Sequence, residues 1–507
     1  MRGRVIMVQG TASNVGKSIL VTALCRIFRN DGFTVAPFKA QNMSLNSYVT
    51  PGGGEIGRAQ AVQAEAAGVP SSVEMNPILL KPEANSRSQV VVLGRPQKSI
   101  SAADYYNLKH QLWPLVTEAL DNLRSKYEVV VIEGAGSPAE INLANDEIVN
   151  MRVARYCRSP ILLVGDIDRG GVFASLLGTL WLLNPEDLKL VKALVINKFR
   201  GDPALLDPGL KFLEAKAGIP VAGVIPYFDD IHIAQEDSVA LGQRGDLQQD
   251  YQIDVVVVRL PHISNFDDFD PLSEEDGVRV RYVKSVKNLG HPDLVILPGS
   301  KTTADDLDWL HKSGLAARII ELYRQGSFVI GICGGYQMLG HHINDPKEVE
   351  SAIPRQQGLE LLPITTVFLP IKETHQIRGE VIAGHGLLKE AKGINFDGYE
   401  IHMGRTERAE GAVAFRLWQR SGQACDMTDG CLDASGQVLG TYIHGLFRNQ
   451  ELRRAILRYI ACSKKRPLSF ASDDYQQDND YDKLAYMVRS SINMDLVYTC
   501  TGLRKGE

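Results

Sequence analysis

An apolar run, Val5 to Val8, breaks into a glycine-bounded loop, G-T-A-S-N-V-G-K-S from Gly10 to Ser18, and Ile19, Leu20, Ala23, Leu24, Ile27 and Phe28 follow at helical spacing. A strand, a glycine loop and a helix in immediate succession leave few options. The helix has to fold back on the sheet that holds the strand, and five or six such strands alternating with helices along the first half make it an α/β fold. The loop also has a chemical consequence. Its backbone N–H groups and the helix N-terminus make a cradle for phosphate, with Lys17 for the outer phosphates and Ser18 for magnesium. Gly10, Thr11, Asn14, Gly16, Lys17 and Ser18 are the expected phosphate-binding residues, with ATP and Mg2+ as the expected ligands.

Further apolar runs supply the rest of such a sheet. Phe33 to Phe38 ends in K-A-Q-N-M-S-L-N-S, Lys39 to Ser47, which reads as an exposed loop whose amides and hydroxyls suit a polar substrate or nucleotide oxygens; Lys39, Gln41, Asn42 and Ser44 are its candidate residues. Glu55 to Gly68 is an alanine-rich helix, and Asn76 to Lys81 places a further lysine at a loop edge. Tyr127 to Ile132 is apolar almost throughout, as a strand covered on both faces should be, and delivers Glu133 to the strand end, where a magnesium ligand belongs. Pro160 to Val164 leads to Asp166, Asp168 and Arg169, the two carboxylates being candidates for substrate contact or phosphoryl transfer. Ala193 to Ile196 ends in Asn197 and Lys198, a position used for nucleobases in P-loop proteins, although Asn197 alone is equally a turn cap. The expected first domain is a doubly wound P-loop fold with ligands at the carboxyl ends of its strands.

The stretch Pro226 to Gln252 is acidic, glycine-bearing and poor in large apolar residues. It divides the chain into 1–232, a linker at 233–251, a second α/β domain at 252–462 and a polar tail at 463–507. In the second domain Asp254 to Leu260 and Leu294 to Leu297 are strands, the latter entering P-G-S-K-T-T, Pro298 to Thr303. Phe328 to Ile332 is another, and it ends at Cys333 before two glycines. Most lone cysteines are inert core residues, but this one sits on a sharp strand-to-helix turn, where the helix N-terminus favours a thiolate. A cysteine nucleophile needs an imidazole, and His444 ends the apolar run beginning at Val438; His402 is the weaker competitor.

Other classes of function are excluded by totals. A net charge of -5 over 507 residues lacks the basic excess that nucleic acid binding requires. Seven scattered cysteines form neither a disulfide framework nor a zinc pattern, which suits a reducing cytoplasm. No apolar run is long enough for a signal peptide core or a membrane span, so no membrane partner is expected.

The elbow G-I-C-G-G-Y-Q, with Gly331, Cys333, Gly335 and Gln337, resembles that of triad-type (class I) glutamine amidotransferases, and the five-residue spacer Thr11 to Val15 resembles the phosphate loop of the dethiobiotin-synthase group. Joined in this order with K-A-Q-N-M-S-L-N-S, D-I-D-R-G-G-V-F-A and Y-E-I-H-M-G-R-T, Tyr399 to Thr406, which reads as a loop, the whole resembles the cobyric acid synthase family over about residues 1 to 460. The resemblance implies ATP- and glutamine-dependent amidation of peripheral carboxylates of a corrinoid, adenosylcobyrinic acid a,c-diamide. It also implies glutamine and oxyanion contacts at Gly299, Gly334 and Gln337. One departure stands out: the glutamate usual two residues after the histidine is Leu446, which leaves the group that orients His444 open. The neighbouring readings are the enzyme that makes the a,c-diamide, a P-loop switch ATPase with an inactive amidotransferase domain, and a dethiobiotin-type carboxylase that would leave the second half without a task.

Overall fold

A computed structural model describes residues 2–83, 87–142, 147–228, 231, 233–234, 251–351, 353–466, 468–470 and 477–504. In it five of the apolar runs and a sixth strand, β6, which the sequence reading did not single out, form one parallel sheet: β1 (Arg4–Gly10), β2 (Val35–Phe38), β3 (Val129–Glu133), β4 (Ile161–Asp166), β5 (Val191–Phe199) and β6 (Val221–Pro226), in the order β2-β3-β1-β4-β5-β6. The chain leaves β1 for one edge and returns to fill the other, so the order reverses beside β1 and opens a crevice at the carboxyl ends. β3 is buried along its whole length, which is why it reads as an unbroken apolar run. Helices α1 (Lys17–Asn30) and α2 (Arg58–Ala67) follow the phosphate loop and the Lys39–Ser47 segment.

Two expectations about the first domain are corrected. Lys39 to Ser47 is not an exposed loop: Lys39, Asn42, Ser44, Asn46 and Ser47 are buried, and Gln41–Met43 is a strand of a small separate sheet. Lys81 is not at a loop edge but buried in strand Ile78–Pro82 of that sheet. The partners are distant in sequence, Glu133 for Lys39, Glu55 for Lys81 and Asn265 of the second domain for Ser47, and a local reading of polarity does not see them.

The second domain is built on parallel strands Val278–Val283, Ile253–Val258, Leu294–Leu297, Phe328–Ile332 and Val438–Thr441, in that spatial order. The sheet continues antiparallel through Gln423–Leu432, Ala412–Arg420 and Ile364–Val381. Strand Asn395–Arg408 pairs with Ile364–Val381 and with Ile443–His444, so Y-E-I-H-M-G-R-T is strand and not loop. Helices α3 (Thr303–Lys312) and α4 (Gly334–Met338) follow the two strand ends that face the site.

Most of the expected linker, with Glu236, Asp237, Gly242, Gly245 and Asp246, lies outside the described residues. The tail returns to the first domain. Helices α5 (Gln477–Ser491) and α6 (Met494–Thr501) pack Tyr481, Leu484, Val488 and Val497 into one core with Leu20, Leu24 and Phe28 of α1. Among the described residues no helix is long and apolar enough to cross a membrane.

Candidate active sites

At the end of β1 the loop turns through Asn14 at φ +62° and Gly16 at φ +100° before α1 begins. Gly16 is required there, since a Cβ would also fall 2.0 Å from Asn197 Nδ2. Asn197 Nδ2 in turn donates to the Val15 carbonyl at 2.8 Å, and Lys198 Nζ to the Asn14 carbonyl at 2.6 Å and Asp166 Oδ2 at 2.8 Å. The end of β5 thus buttresses the loop from behind. Lys17 Nζ lies against the carbonyls of Ala12 and Gly136 at 2.8 and 3.2 Å. Asp166 Oδ1 accepts from the Asp168 N–H at 2.9 Å, and Asp168 pairs with Arg200 at 2.8 Å.

Glu133 is the electrostatic centre of this site. Its Oε1 accepts from Ser18 Oγ at 2.9 Å and Lys39 Nζ at 2.8 Å, its Oε2 from Gln63 Nε2 at 2.5 Å. Burial alone would raise its pKa; the Lys39 charge and the hydrogen bonds from Lys39, Gln63 and Ser18 outweigh that and hold the carboxylate ionised. Asn42 Nδ2 donates to Gln60 Oε1 at 3.0 Å, and Gln41 Oε1 accepts from the Tyr105 hydroxyl at 2.5 Å.

A cavity of about 1270 Å³ gathers Asn14, Gly16, Lys17, Ser18, Lys39, Gln41, Asn42, Glu133, Asp166, Asp168 and Asn197. Ser44 is not brought to it: its hydroxyl bonds the Asn46 backbone at 3.1 and 3.0 Å and shapes the turn. Gly10 and Thr11 lie beneath, Thr11 N donating to the Val164 carbonyl at 3.0 Å. Among the described residues no three His, Cys, Asp or Glu side chains gather as a closed metal cluster. The hydroxyl of Ser18 and the carboxylate of Glu133 nevertheless meet at one spot, the hard oxygen chemistry that suits Mg2+ shared with phosphates.

The second centre is built on Cys333, at φ +54° and ψ −109°, a backbone conformation that a non-glycine residue holds only under strain. The strand and α4 enforce it: a Cβ on Gly335 would fall 1.9 Å from the Leu297 carbonyl oxygen, so the helix approaches the neighbouring strand as only glycine permits. The Cys333 thiol donates to the Ile401 carbonyl at 3.2 Å, and Sγ and the His444 ring line the same pocket. His444 is 1% exposed, its ring stacked on Tyr399 at 5.2 Å.

The orienting group that the sequence left open is Asp268. Its Oδ2 lies 2.6 Å from His444 Nδ1, and its Oδ1 accepts from the Gly445 N–H at 2.8 Å. Burial opposes the imidazolium, but the Asp268 charge and hydrogen bond and the Cys333 contact prevail and raise the His444 pKa to about 10. Asp268 belongs to the short helical turn Phe266–Phe269, far upstream in sequence, and F-D-D-F, two carboxylates between two phenylalanines that bury them, was the available signal. His402 bonds the Gly404 carbonyl at 2.9 Å and stacks on Tyr442, and burial pushes its pKa down to about 4. Its setting is not that of a base oriented by a carboxylate.

Gly299 and Gly334 flank the pair. A Cβ on Gly299 would lie 3.3 Å from His444 Cε1, and one on Gly334 2.9 Å from the Ser300 nitrogen. Gln337 is buried and donates to the Tyr442 hydroxyl at 3.1 Å. Cys333, Gln337 and His444 share their pocket with Lys301, Glu350 and Lys372, and with Lys81 and Gln89 of the first domain. Glu55 bridges Lys81 at 2.7 Å and Lys372 at 2.6 Å across the domain boundary, and burial lowers the Lys372 pKa to about 8. Glu350 accepts from the Thr303 N–H at the start of α3, and burial raises its pKa to about 7. Sequence reasoning missed this contribution of the first domain to the cysteine pocket.

Comparison with known proteins follows the same division. Residues 6–240 match the CobQ/CobB/MinD/ParA nucleotide binding domain, and residues 254–452 the CobB/CobQ-like glutamine amidotransferase domain. The cobyric acid synthase of Dehalococcoides mccartyi (strain CBDB1) is 53% identical over 495 residues, 98% of each chain. That of Sorangium cellulosum is 50% identical over 520 residues, 99% of each chain, and that of Moorella thermoacetica 49% identical over 509 residues, 99% of this chain and 98% of the relative. With about half of its residues shared over nearly its full length, and with both centres in place, the chain belongs to the cobyric acid synthase family.

Proposed function

We propose that the two centres carry the two halves of one reaction: glutamine-dependent release of ammonia at Cys333 and ATP-dependent activation of a carboxylate at the phosphate loop. The substrate on this reading is adenosylcobyrinic acid a,c-diamide, whose b, d, e and g carboxylates become the amides of cobyric acid. The observation that carries it is the coexistence, in one chain, of a Cys333–His444–Asp268 array and a cavity in which Lys17, Ser18 and Glu133 converge. The synthetase half is residues 1–232 and the glutaminase half 252–462, working in a reducing cytoplasm.

At the cysteine, Sγ attacks the side-chain amide carbon of glutamine while the N–H groups at Gly299 and Gly334 receive the developing oxyanion. His444 gives its proton to the departing nitrogen, ammonia leaves, and the resulting thioester is cleaved by water to glutamate. Asp268 holds the ring in the tautomer and orientation that both proton transfers need. Lys301, Lys372 and Glu350 supply charges that suit the zwitterionic head of the amino acid.

At the phosphate loop, a carboxylate oxygen of the corrinoid attacks the γ-phosphorus of ATP and ADP departs, giving an acyl phosphate. Ammonia then attacks the acyl carbon and phosphate leaves. Lys17 and the loop N–H groups hold the phosphates. Ser18 and Glu133 are the residues that would hold Mg2+, which when bound offsets negative charge on the phosphates. Lys39, hydrogen-bonded to the same carboxylate, would meet the transferring phosphoryl group, and Gln41, Asn42, Asp166 and Asp168, which line the same cavity, would take the corrinoid carboxylate.

Mass spectrometry of the a,c-diamide incubated with ATP and glutamine should count four amidations. Cys333→Ala should give the same products with ammonium salts and none with glutamine. A folded variant that fails with both nitrogen sources, or with neither, removes the division of labour.

A further inference from the structure

Helix α2 belongs to the first domain, yet its two faces serve different centres. Gln60 and Gln63, one helical turn apart, reach Glu133 at 3.5 and 2.5 Å. Arg58 and Glu65, two turns apart, lie on the opposite side. The Arg58 side chain is fully buried there, its Nε donating to Asp267 Oδ2 at 2.8 Å and its Nη1 to Glu65 at 3.1 Å. Asp267 also takes Arg448 Nη2 at 2.9 Å. The next residue is Asp268, whose two oxygens hold His444 Nδ1 and the Gly445 N–H.

The turn that carries Asp268 is therefore gripped from the other domain. The segment before α2 adds to the grip: Asn46 Oδ1 accepts from the Phe266 N–H at 3.3 Å, and the Ser47 N–H donates to Asn265 Oδ1 at 3.2 Å. Tyr48, under the Arg58 guanidinium at 5.2 Å, packs edge-on against Tyr399, the ring stacked on His444. A planar fork suits this role because it reaches Asp267 and Glu65 at once while lying on an aromatic face.

We propose that Arg58 is a positioning residue for glutamine hydrolysis: through the Asp267–Asp268 turn it sets the imidazole of His444, so that the glutaminase centre is complete only with the first domain docked. The inference rests on the roles given above to Cys333 and His444. The groups facing His444 are Asp268, Cys333, Tyr399, His402 and, through Asp267, Arg448. Asp268 is tied to the Arg58 clamp through the backbone of Asp267, and Tyr399 through Tyr48, so loosening the clamp acts on the aspartate–imidazole contact and on the ring stacked beside it.

The test uses the full chain with Arg58→Met, Arg58→Lys and Cys333→Ala side by side. Arg58→Met should lose about 10- to 100-fold in kcat for glutamine-dependent amidation, as expected for a reacting group displaced by about 1 Å. Its ammonium-dependent rate should stay near that of the parent. The basic limb of the glutaminase pH profile should move to lower pH, because an imidazole less well paired with Asp268 gives up its proton earlier. Arg58→Lys, with the charge but not the fork, should recover part of the rate and part of the shift. The inference is overturned if both variants keep the parental glutaminase rate and pH profile, or if glutamine- and ammonium-dependent rates fall together in both. Retention of glutamine-dependent synthesis by Cys333→Ala would instead sink the reading on which it rests.

Discussion

The proton on His444 is held chiefly by Asp268, with Cys333 adding to it. Burial would strip that proton, and Asp268, 2.6 Å from Nδ1, keeps it. Because the folded pKa is raised, to about 10, the imidazolium is present across the neutral range and is lost only as pH climbs toward that value. An imidazolium in the pocket of Cys333 is the group from which the departing ammonia can take its proton. Asp268→Asn removes the charge and frees Nδ1 to carry the wrong tautomer. We expect kcat for glutamine hydrolysis to fall by on the order of 10²- to 10⁴-fold, the range set by the analogous change in serine triads. The surviving activity should have its basic limb at lower pH, and ammonium-dependent synthesis should be spared. An unchanged limb, measured over pH 6 to 10 or about that span, would mean that Asp268 is not what holds the proton.

At the scale of elements, the phosphate loop is held as much from behind as by its own sequence. Gly16 sits at φ +100° with Asn197 Nδ2 where a Cβ would go, and Asn197 also ties down Val15. Gly16→Ala therefore meets backbone strain of about 1–3 kcal/mol and a collision with the buttress. ATP binding, followed by calorimetric titration of a non-hydrolysable analogue, should weaken about tenfold or more, since 1.4 kcal/mol is a factor of ten. Binding as tight as in the parent would show that the loop can shift at no cost. That the loop and the elbow could be read directly is a matter of local physics: each is a buried parallel strand, hence an apolar run, ending at glycines that the turn demands. The long strand Ile364–Val381 is half exposed along much of its length and shows no such run, so the antiparallel extension went unseen. Lys39–Ser47 and Lys81 read as solvated because their partners, Glu133 for Lys39, Glu55 for Lys81 and Asn265 for Ser47, are brought to them only by the tertiary fold, and Asp268 is hidden for the same reason, since a triad is assembled by tertiary structure and not by spacing.

Across the whole molecule, the chain crosses from one domain to the other and comes back, and the return has a structural consequence. Helix α5 packs along α1, the helix that begins with Lys17 and Ser18, with Arg26 and Asp482 paired at 2.7 Å and Tyr498 of α6 set edge-on against Phe28. The Tyr481 hydroxyl donates to Glu65 at 2.9 Å, the same carboxylate that Arg58 engages. Tyr481, Leu484, Val488 and Val497 are buried, and at roughly 1.5–3 kcal/mol for each large apolar side chain their removal costs on the order of 5 kcal/mol or more. That is comparable with the entire stability of a domain, about 5–15 kcal/mol. The core it would expose, around Leu20, Leu24 and Phe28, is the cluster that also takes in Val15 of the phosphate loop. A chain ending at residue 476 should thus unfold in two steps by calorimetry, the first domain well below the second, and should lose ATP binding before it loses the fold around Cys333. Glutamine hydrolysis should decline with the first transition and not the second, because Arg58 and Tyr48 leave the Asp268 turn when their domain melts. A single transition at the parental temperature would show that the tail is an ornament on a domain already stable without it.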